Sequence, residues 1–233
     1  MNLGGEGVEK IVIGLYGAGG FGKEVMSLLP SILPKLFPGT NYDQIKLCFI
    51  DGDLSLSTVL DKEVISLTKF LESNQHELYY CITIADPATR KLIASKLKDT
   101  SAKPLKIIFD NSLILSHSQI GTGTKIMPGT TISTSVNIGS FSHINFHSYI
   151  AHDCRIGDFV TISPHVTCCG NTDVKDGAFI GAGSVIKQGT IDQPRFVGLN
   201  SRLGMGSNLL TDLPDNKTYA GNPDNELKIK QEF

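Results

Sequence analysis

Residues 138–162 read IGSFSHINFHSYIAHDCRIGDFVTI, and an isoleucine stands at every sixth position of this stretch. The same period extends from Ile108 to Ile186, with only Cys168 departing from Ile or Val. An α-helix of 3.6 residues per turn does not keep a period of six on one face. A solenoid does, because each six-residue unit buries one apolar side chain and then turns a corner. The pattern therefore predicts a coil of short parallel strands, with three units in each turn.

The six-residue period is interrupted once, after Ile186. We expect the aliphatic register to resume one residue early, at Ile191, and to continue at Val197. The segment from Asp192 to Arg195 contains Pro194, which predicts a small loop that bulges outward.

The first hundred or so residues have a different pattern, in which buried-type strands alternate with helical segments. The predicted strands are 10–16, 46–51 and 78–84, and the predicted helices are 23–29 and 88–97. This alternation favours a parallel α/β sheet. With Pro104 as the boundary, the expected domains are an α/β domain over 1–104, the coil over 105–214 and a C-terminal tail over 215–233.

A glycine-rich loop follows the first predicted strand. Gly17, Gly19 and Gly22 satisfy the pattern G-x-G-x-x-G between a strand and a helix, where glycines let a phosphate approach the backbone. Asp51, at the end of the second strand, could accept hydrogen bonds from a ribose or a base. Three strands are few for a dinucleotide domain, so a single nucleotide or nucleotide sugar is favoured over NAD. A tight turn without a ligand is the alternative.

The bulk composition limits the partners. The net charge of −2 and the pI of about 6.3 give no support for nucleic acid or an anionic membrane as a partner. No run of eighteen apolar residues predicts a membrane span, and Met1 to Lys10 lacks the features of a signal peptide, so we expect a cytoplasmic location. The five cysteines are interpreted as small buried residues, because their spacing is not that of a zinc site.

His152 stands at a predicted corner of the coil, beside Asp153. An imidazole next to a carboxylate is a plausible general base, because the carboxylate fixes the ring tautomer. Gly170 lies one turn of the coil further on and offers a backbone N–H that could stabilise an oxyanion. The alternative is an exposed histidine without a chemical role.

His147 and His165 are one turn apart and are expected to stack. They could be half of a metal site. The spacing of His147 and His152 also resembles that of the γ-class carbonic anhydrases, which have a third histidine two turns earlier. The position of the third ligand is Asn111, so no metal is expected. We interpret His76, His117 and His143 as surface residues.

The chain as a whole resembles the sugar O-acyltransferases of the sialic acid O-acetyltransferase type. It is similar above all to the bacterial N-acetyltransferases that act on nucleotide-linked 4-amino sugars. The resemblance rests on YGAGGFGK at 16–23, FIDGD at 49–53, IAD at 84–86 with Arg90, IN at 144–145, AHDCRIGD at 151–158 and GNP at 221–223.

The resemblance implies a Rossmann-like N-terminal domain that binds the nucleotide sugar, followed by a left-handed parallel β-helix. It also implies a homotrimer with active sites between subunits and acetyl-CoA as co-substrate, in bacterial surface glycan biosynthesis. His152 would be the general base, Asp153 would raise its basicity, and Asn145 would lie near the sugar. The residues that would hold the nucleotide are Gly17, Gly19, Gly20, Phe21, Asp51, Gly52 and Ala85. Those that would lie near acetyl-CoA are Thr161, Gly170, Ala182 and Met205.

The chain departs from the family pattern at five positions. Phe21 replaces a usual histidine, and Thr161 replaces a second histidine that reaches acetyl-CoA, so a weaker hydrogen bond or none is expected there. Asp224 follows Pro223 where Ala is usual. His147 and His165 replace small residues.

Two alternatives to N-acetylation of a UDP-, dTDP- or GDP-linked 4-amino-deoxysugar remain open, and a third is disfavoured. One is O-acetylation of a sialic acid or a related sugar. Another is a non-catalytic nucleotide-binding solenoid, which would have no affinity for CoA. A nucleotidyltransferase would need an N-terminal domain much larger than about 100 residues.

Overall fold

The computed structural model describes residues 10–222 and the backbone of Asn225–Glu226. The described residues divide into two compact units, residues 10–84 with 92–105 and residues 85–91 with 106–222. The expectations for residues 1–9 and for Pro223-Asp224 lie outside the described residues.

The first unit is built around one sheet. Its elements are β1 (Ile11–Tyr16), α1 (Gly20–Leu36), a 3₁₀ turn (Tyr42–Gln44), β2 (Ile45–Ile50), β3 (Thr58–Val59), β4 (Lys62–Ile65), α2 (Leu67–Glu72), β5 (Glu77–Ile82), the C-terminal part of α3 (Pro87–Leu97) and β6 (Lys103–Pro104). The strand order among the described residues is β3-β4-β2-β1-β5-β6, and all pairs except β3–β4 are parallel. The three predicted strands are confirmed as β1, β2 and β5, and their carboxyl ends meet at one edge of the sheet.

Helix α1 is longer than the sequence pattern predicted. The predicted helix covered residues 23–29, whereas α1 begins at Gly20 and continues through Pro30 and Pro34 to Leu36. A proline inside a helix removes one backbone hydrogen bond. Ile32 and Leu33 are 1% and 2% exposed, so burial of the apolar face of the helix offsets that loss.

The second unit is a coil of two- and three-residue strands. Its strands are β7 (Ile107–Ile108), β8 (Leu113–Ile114), β9 (Gln119–Ile120), β10 (Lys125–Ile126), β11 (Thr131–Ile132), β12 (Asn137–Ile138), β13 (His143–Ile144), β14 (Tyr149–Ile150), β15 (Arg155–Ile156), β16 (Thr161–Ile162), β17 (Thr167–Cys168), β18 (Thr172–Val174), β19 (Phe179–Ile180), β20 (Val185–Ile186), β21 (Arg195–Val197), β22 (Arg202–Leu203), β23 (Asn208–Leu209), β24 (Thr218–Ala220) and β25 (Asn225–Glu226).

These strands form three sheets, one for each side of the coil. Their orders within the described chain are β25-β24-β22-β19-β16-β13-β10-β7, β23-β20-β17-β14-β11-β8 and β21-β18-β15-β12-β9. Pairing is parallel throughout except for the terminal β24–β25 pair, and Ile126 pairs with Ile144 and Ile144 with Ile162. The predicted six-residue coil is therefore confirmed, and it fits the β-helix of hexapeptide-repeat acyltransferases.

The predicted aliphatic positions fill the interior of the coil. From Ile126 to Ile186 every one of them is at most 4% exposed, and the earlier Ile108, Ile114 and Ile120 pack against this core. Small residues stand four positions after the aliphatic ones, as Thr124 does after Ile120, and bond to the next turn of the coil. The Thr124 hydroxyl donates to the Gly139 carbonyl at 2.7 Å. The thiol of Cys154 takes the same place and donates to the Cys169 carbonyl at 3.3 Å.

A left-handed backbone conformation marks each corner of the coil. From position 111 to 183 every sixth residue has φ between 53° and 74°, and the members are Asn111, His117, Gly123, Gly129, Ser135, Phe141, His147, Asp153, Phe159, His165, Asn171, Gly177 and Gly183. For residues other than glycine this conformation costs about 1–2 kcal/mol. A hydrogen bond to the preceding turn opposes that cost: the Asp153 N–H donates to the Thr134 carbonyl at 3.2 Å.

The register resumes later than the sequence suggested. Val174 pairs with Val197, 23 positions away, so the interruption adds five residues to a normal turn. Ile191 is 84% exposed and belongs to the outward loop, so the prediction that it restores the interior register was wrong. Spacing alone misassigned it because an exposed isoleucine happens to lie six residues before Val197.

Within residues 10–222, no helix combines the length and the apolar character needed to cross a bilayer. All five cysteines are free, and only Cys169 is not fully buried, which confirms their interpretation as buried residues.

The register can be tested by the same substitution at two isoleucines. We expect Ile162→Ala to lower the free energy of unfolding by about 2–5 kcal/mol, because it leaves a cavity in the coil. Ile191→Ala is the matched control and should change it by less than about 0.5 kcal/mol, since the side chain is exposed. Denaturant titration of both variants measures the difference. Equal destabilisation would contradict the register described above.

Candidate active site

The His152 and Asp153 side chains meet at one corner of the coil. The distance from His152 Nδ1 to Asp153 Oδ2 is 2.8 Å, and each side chain is about half exposed, at 53% and 51%. An ionised carboxylate only accepts hydrogen bonds, so Nδ1 carries the proton of a neutral ring. The unprotonated Nε2 is then available to accept a proton from a ligand. Asp153 takes the left-handed conformation, with φ of 59°, which aspartate tolerates better than most residues.

Gly170 forms the surface against which the His152 ring lies. A Cβ atom at this position would come within 2.7 Å of His152 Nε2 and 2.6 Å of Cε1. The neighbouring Asn171 N–H donates to the His152 carbonyl at 3.1 Å, which holds the two turns in register. Among the described residues, no backbone carbonyl accepts a hydrogen bond from the Gly170 N–H. The sequence therefore placed His152, Asp153 and Gly170 correctly at one edge.

Thr161 is buried and Asn145 is half-buried. Thr161 is 1% exposed, and its hydroxyl donates to the Ala85 carbonyl at 2.8 Å. This hydroxyl is thus already used within the coil unit, and a direct contact with acetyl-CoA is not supported. The Asn145 side-chain amide donates to the Ile162 carbonyl at 3.0 Å, so a contact with a sugar would have to use its amide oxygen.

Arg90 is a buried cation to which the sequence analysis gave no role. It is 0% exposed, and its Nη1 donates to the Ala85 carbonyl at 3.1 Å. Its other N–H groups donate to the Phe141, Phe159 and Val160 carbonyls and to the Thr161 hydroxyl. Burial lowers the pKa of Arg90 to about 9, so the guanidinium is still charged at neutral pH.

These contacts fix the segment around Ala85, which the family resemblance assigns to the nucleotide, on the coil. Asp86 adds a further link, because Arg202 Nη2 approaches its Oδ1 at 3.1 Å. An arginine in a helix is usually exposed. Only the position of Arg90, four residues after the IAD motif, could have indicated that it is buried.

Ala182 and Met205 line a separate cavity of about 360 Å³ on the coil. Its wall also includes Pro164, Phe179 and Arg202, and Met205 is 80% exposed at its edge. Arg202 lies over the Phe179 ring, with the guanidinium carbon 5.6 Å from the ring centroid. An apolar cavity with a cation at its margin could accept a thioester chain that ends in phosphates.

The glycine loop of the first unit leaves room for a ligand to approach its backbone closely. Gly17 has φ of +110°, and a Cβ atom on Gly22 would collide with the Gly17 carbonyl. Packing therefore requires both of these glycines. No atom lies within 4 Å of where a Cβ would stand on Gly19 or Gly20, so packing does not explain them. Free space at a helix N-terminus is where a phosphate binds.

Asp51 joins the ends of two neighbouring strands. Its Oδ2 accepts from the Ala18 N–H at 2.9 Å, and its Oδ1 accepts from the Asp53 N–H at 3.1 Å. Burial, together with the charge of Asp51, raises the pKa of Tyr16. Gly52 is exposed beside it, and Phe21 lies half-buried in the first turn of α1. The structure thus brings this part of the expected nucleotide site together, whereas Ala85 belongs to the coil unit.

Two of the other histidines stack on each other, and a third is buried. The His147 and His165 rings stack at 5.1 Å between centroids with planes 15° apart, as predicted. No group of three or more metal-binding side chains occurs among the residues the structure describes. His143 is 0% exposed, so its interpretation as a surface residue was wrong. The coil spacing offers His143 no partner histidine, yet it lies in β13 between Lys125 and Thr161, which are also buried.

Sequence comparison connects this arrangement with known proteins. No model of a known protein family matches the chain. The chain is 37% identical over 215 residues to a GDP-perosamine N-acetyltransferase of Escherichia coli O157:H7, which covers 92% of this chain and 96% of that protein. The chain belongs to the hexapeptide-repeat acyltransferases of nucleotide-linked amino sugars.

Solved structures of similar proteins have the same fold. WeeI from Acinetobacter baumannii AYE superposes with a TM-score of 0.84 at 37% identity, over 94% of this chain and 100% of that one. The acetyltransferase domain of PglB from Neisseria gonorrhoeae FA1090, in complex with acetyl coenzyme A, gives 0.79 at 26% identity, over 94% and 100%. This acyltransferase is thus similar to those proteins over nearly its whole length.

The contact between Gly170 and His152 can be tested directly. We expect Gly170→Ala to reduce kcat by at least about tenfold, because the added methyl group would push the imidazole out of position. Steady-state kinetics measure the loss, and circular dichroism checks that the coil is retained. A folded variant with unchanged kcat would show that the ring does not depend on the space above Gly170.

Proposed function

We propose that this acyltransferase moves the acetyl group of acetyl-CoA to the amino group of a nucleotide-linked 4-amino-deoxysugar, with His152 as general base. The observation that carries the proposal is the His152–Asp153 pair at 2.8 Å, with Gly170 beside it. GDP is favoured as the nucleotide because the relative with 37% identity is named a GDP-perosamine N-acetyltransferase. UDP and dTDP are the other expected nucleotides.

The proposed reaction is a direct transfer between the two substrates. The neutral amine attacks the thioester carbonyl, and His152 Nε2 takes a proton from the nitrogen as the tetrahedral intermediate forms or breaks down. The Gly170 N–H stabilises the oxyanion. The C–S bond then breaks, and the imidazolium returns its proton to the CoA sulfur. Asp153 keeps Nδ1 protonated and stabilises the imidazolium, and the buried cysteines take no part.

The proposed binding sites follow from the space around the named residues. Gly17, Gly19, Gly20 and Phe21, with Asp51 and Gly52, form the nucleotide site, supported by the open positions above Gly19 and Gly20. Ala182 and Met205 contact acetyl-CoA, supported by the cavity of about 360 Å³ that they line. Contacts of the ligands with Asn145 and Ala85 remain predictions.

The larger assembly is proposed from the family resemblance. The first unit is a Rossmann-like nucleotide-sugar-binding domain over 1–104, followed by a left-handed coil. The coil predicted over 105–214 extends to β24 (Thr218–Ala220), which pairs with β22, so the tail predicted over 215–233 is shorter. The division of the described residues at 105 supports the first boundary, with the exception that residues 85–91 group with the coil. The protein forms a homotrimer, and the cytoplasmic location expected from the sequence remains a prediction.

The role of His152 predicts a large loss in one variant and a small loss in its control. His152→Asn should lower kcat at least about 100-fold, because general base catalysis contributes about 10²–10⁴ in rate. His117→Asn makes the same change at an exposed corner and should stay within about twofold. Asp153→Asn should cost less than His152→Asn and alter the pH–rate profile. Near-normal turnover of His152→Asn would exclude the proposed base.

The reaction class is tested by thiol release from acetyl-CoA with a panel of acceptors. We expect release with a GDP-, UDP- or dTDP-linked 4-amino sugar, and none with the corresponding 4-hydroxy sugar. The accepted nucleotide sugar should also raise the melting temperature, since it binds the folded state. Release only with a free sialic acid would support O-acetylation instead. No affinity for CoA would support the non-catalytic solenoid.

A further inference from the structure

The five-residue insertion leaves the coil at the same edge as the catalytic pair. Gly189 begins it, and the Gly189 N–H donates to the Gly170 carbonyl at 3.0 Å. The insertion therefore starts one turn beyond the glycine on which the His152 ring lies. The coil does not need the extra residues for its strand pairing, because Val174 still pairs with Val197 and Ile186 with Leu209 across them.

The loop formed by residues 190–194 is held by its own hydrogen bonds. The Thr190 N–H donates to the Gln193 carbonyl at 2.9 Å, and the Gln193 N–H donates back to the Thr190 hydroxyl at 3.0 Å. The loop returns to the coil where the Arg195 N–H donates to the Asn171 carbonyl at 2.9 Å. Arg195 Nη1 also approaches Asp212 Oδ1 at 2.8 Å. Both ends of the loop are thus anchored, and Ile191 is exposed between them.

The loop and the coil enclose a cavity of about 260 Å³ beside the catalytic carboxylate. The coil contributes Asp153, Arg155, Asn171 and Asp173, and the loop contributes Ile191 and Pro194. Asp153 is therefore shared between this cavity and the His152 hydrogen bond. Pockets for drug-sized ligands measure about 300–1,000 Å³, so this smaller cavity suits one ring rather than a whole nucleotide.

We propose that this cavity, the loop-side subsite, binds the pyranose ring of the acceptor and that loop 190–194 determines which sugar is accepted. This inference rests on the proposed function. Carboxylate, amide and guanidinium groups can donate to and accept from the ring hydroxyls. The apolar Ile191 and Pro194 offer a surface for the C–H face of the ring. A site that hydrogen-bonds a substrate hydroxyl discriminates strongly against a sugar that lacks it.

Asn171 offers a variant that removes one side chain and keeps the backbone. Its φ of 53° suits glycine, so Asn171→Gly deletes only the amide. Asn200→Gly is the matched control, because Asn200 has φ of 52° on a different corner and does not line the cavity. Ile191→Ser tests the loop and involves no buried side chain, so it cannot act by unfolding the coil.

The experiment measures kcat/KM for two nucleotide-linked 4-amino sugars that share one nucleotide and differ in one ring hydroxyl. We expect Asn171→Gly and Ile191→Ser to change the ratio between the two sugars by about tenfold, the effect of one hydrogen bond or apolar contact. The KM for acetyl-CoA should stay within about twofold, and Asn200→Gly should leave all values unchanged.

The outcomes separate this inference from the proposed function. An active wild-type enzyme whose sugar preference is the same in both variants would overturn the loop-side subsite alone. A raised KM for acetyl-CoA with unchanged sugar preference would also overturn it and assign the loop to the other substrate. A wild-type protein that acetylates no amino sugar would overturn the proposed function itself.

Discussion

The left-handed residue at each corner is the constraint on which the coil depends. It appears every sixth residue, and its N–H typically donates to a carbonyl of the preceding turn. At such a corner the hydrogen bond opposes the free-energy cost of the left-handed φ, and it fixes the register between turns. Because register is fixed in this way, side chains one turn apart must lie above one another. The proposed chemistry follows from that stacking.

The corner at His152 shows how such stacking brings side chains together. His152 and Asp153 are neighbours in sequence, and the left-handed conformation of Asp153 turns its carboxylate toward the ring. Gly170 leaves room for that ring one turn later, because any side chain there would occupy its position. The insertion after Gly189 adds residues at the same edge, while the strands on either side of it still pair.

The period of six was sufficient to predict the coil, its interior and the stacking of His147 on His165. It could not predict the end of the interruption, because Ile191 is aliphatic but lies in the loop. Nor could it predict the burial of Arg90, His143 and Thr161. These residues occupy outward-facing or helical positions, and their burial depends on contacts between segments far apart in sequence. Local periodicity carries no information about such contacts.

The central claim is that the corner at His152 is where the amine and the thioester meet. A crystal structure of the protein with CoA and a GDP-linked 4-amino sugar tests it most directly. We expect the sugar nitrogen within about 2.6–3.2 Å of His152 Nε2, directly or through one water, with the CoA sulfur beside Gly170. A sugar nitrogen bound far from His152, with both ligands well ordered, would contradict the role of His152 as general base.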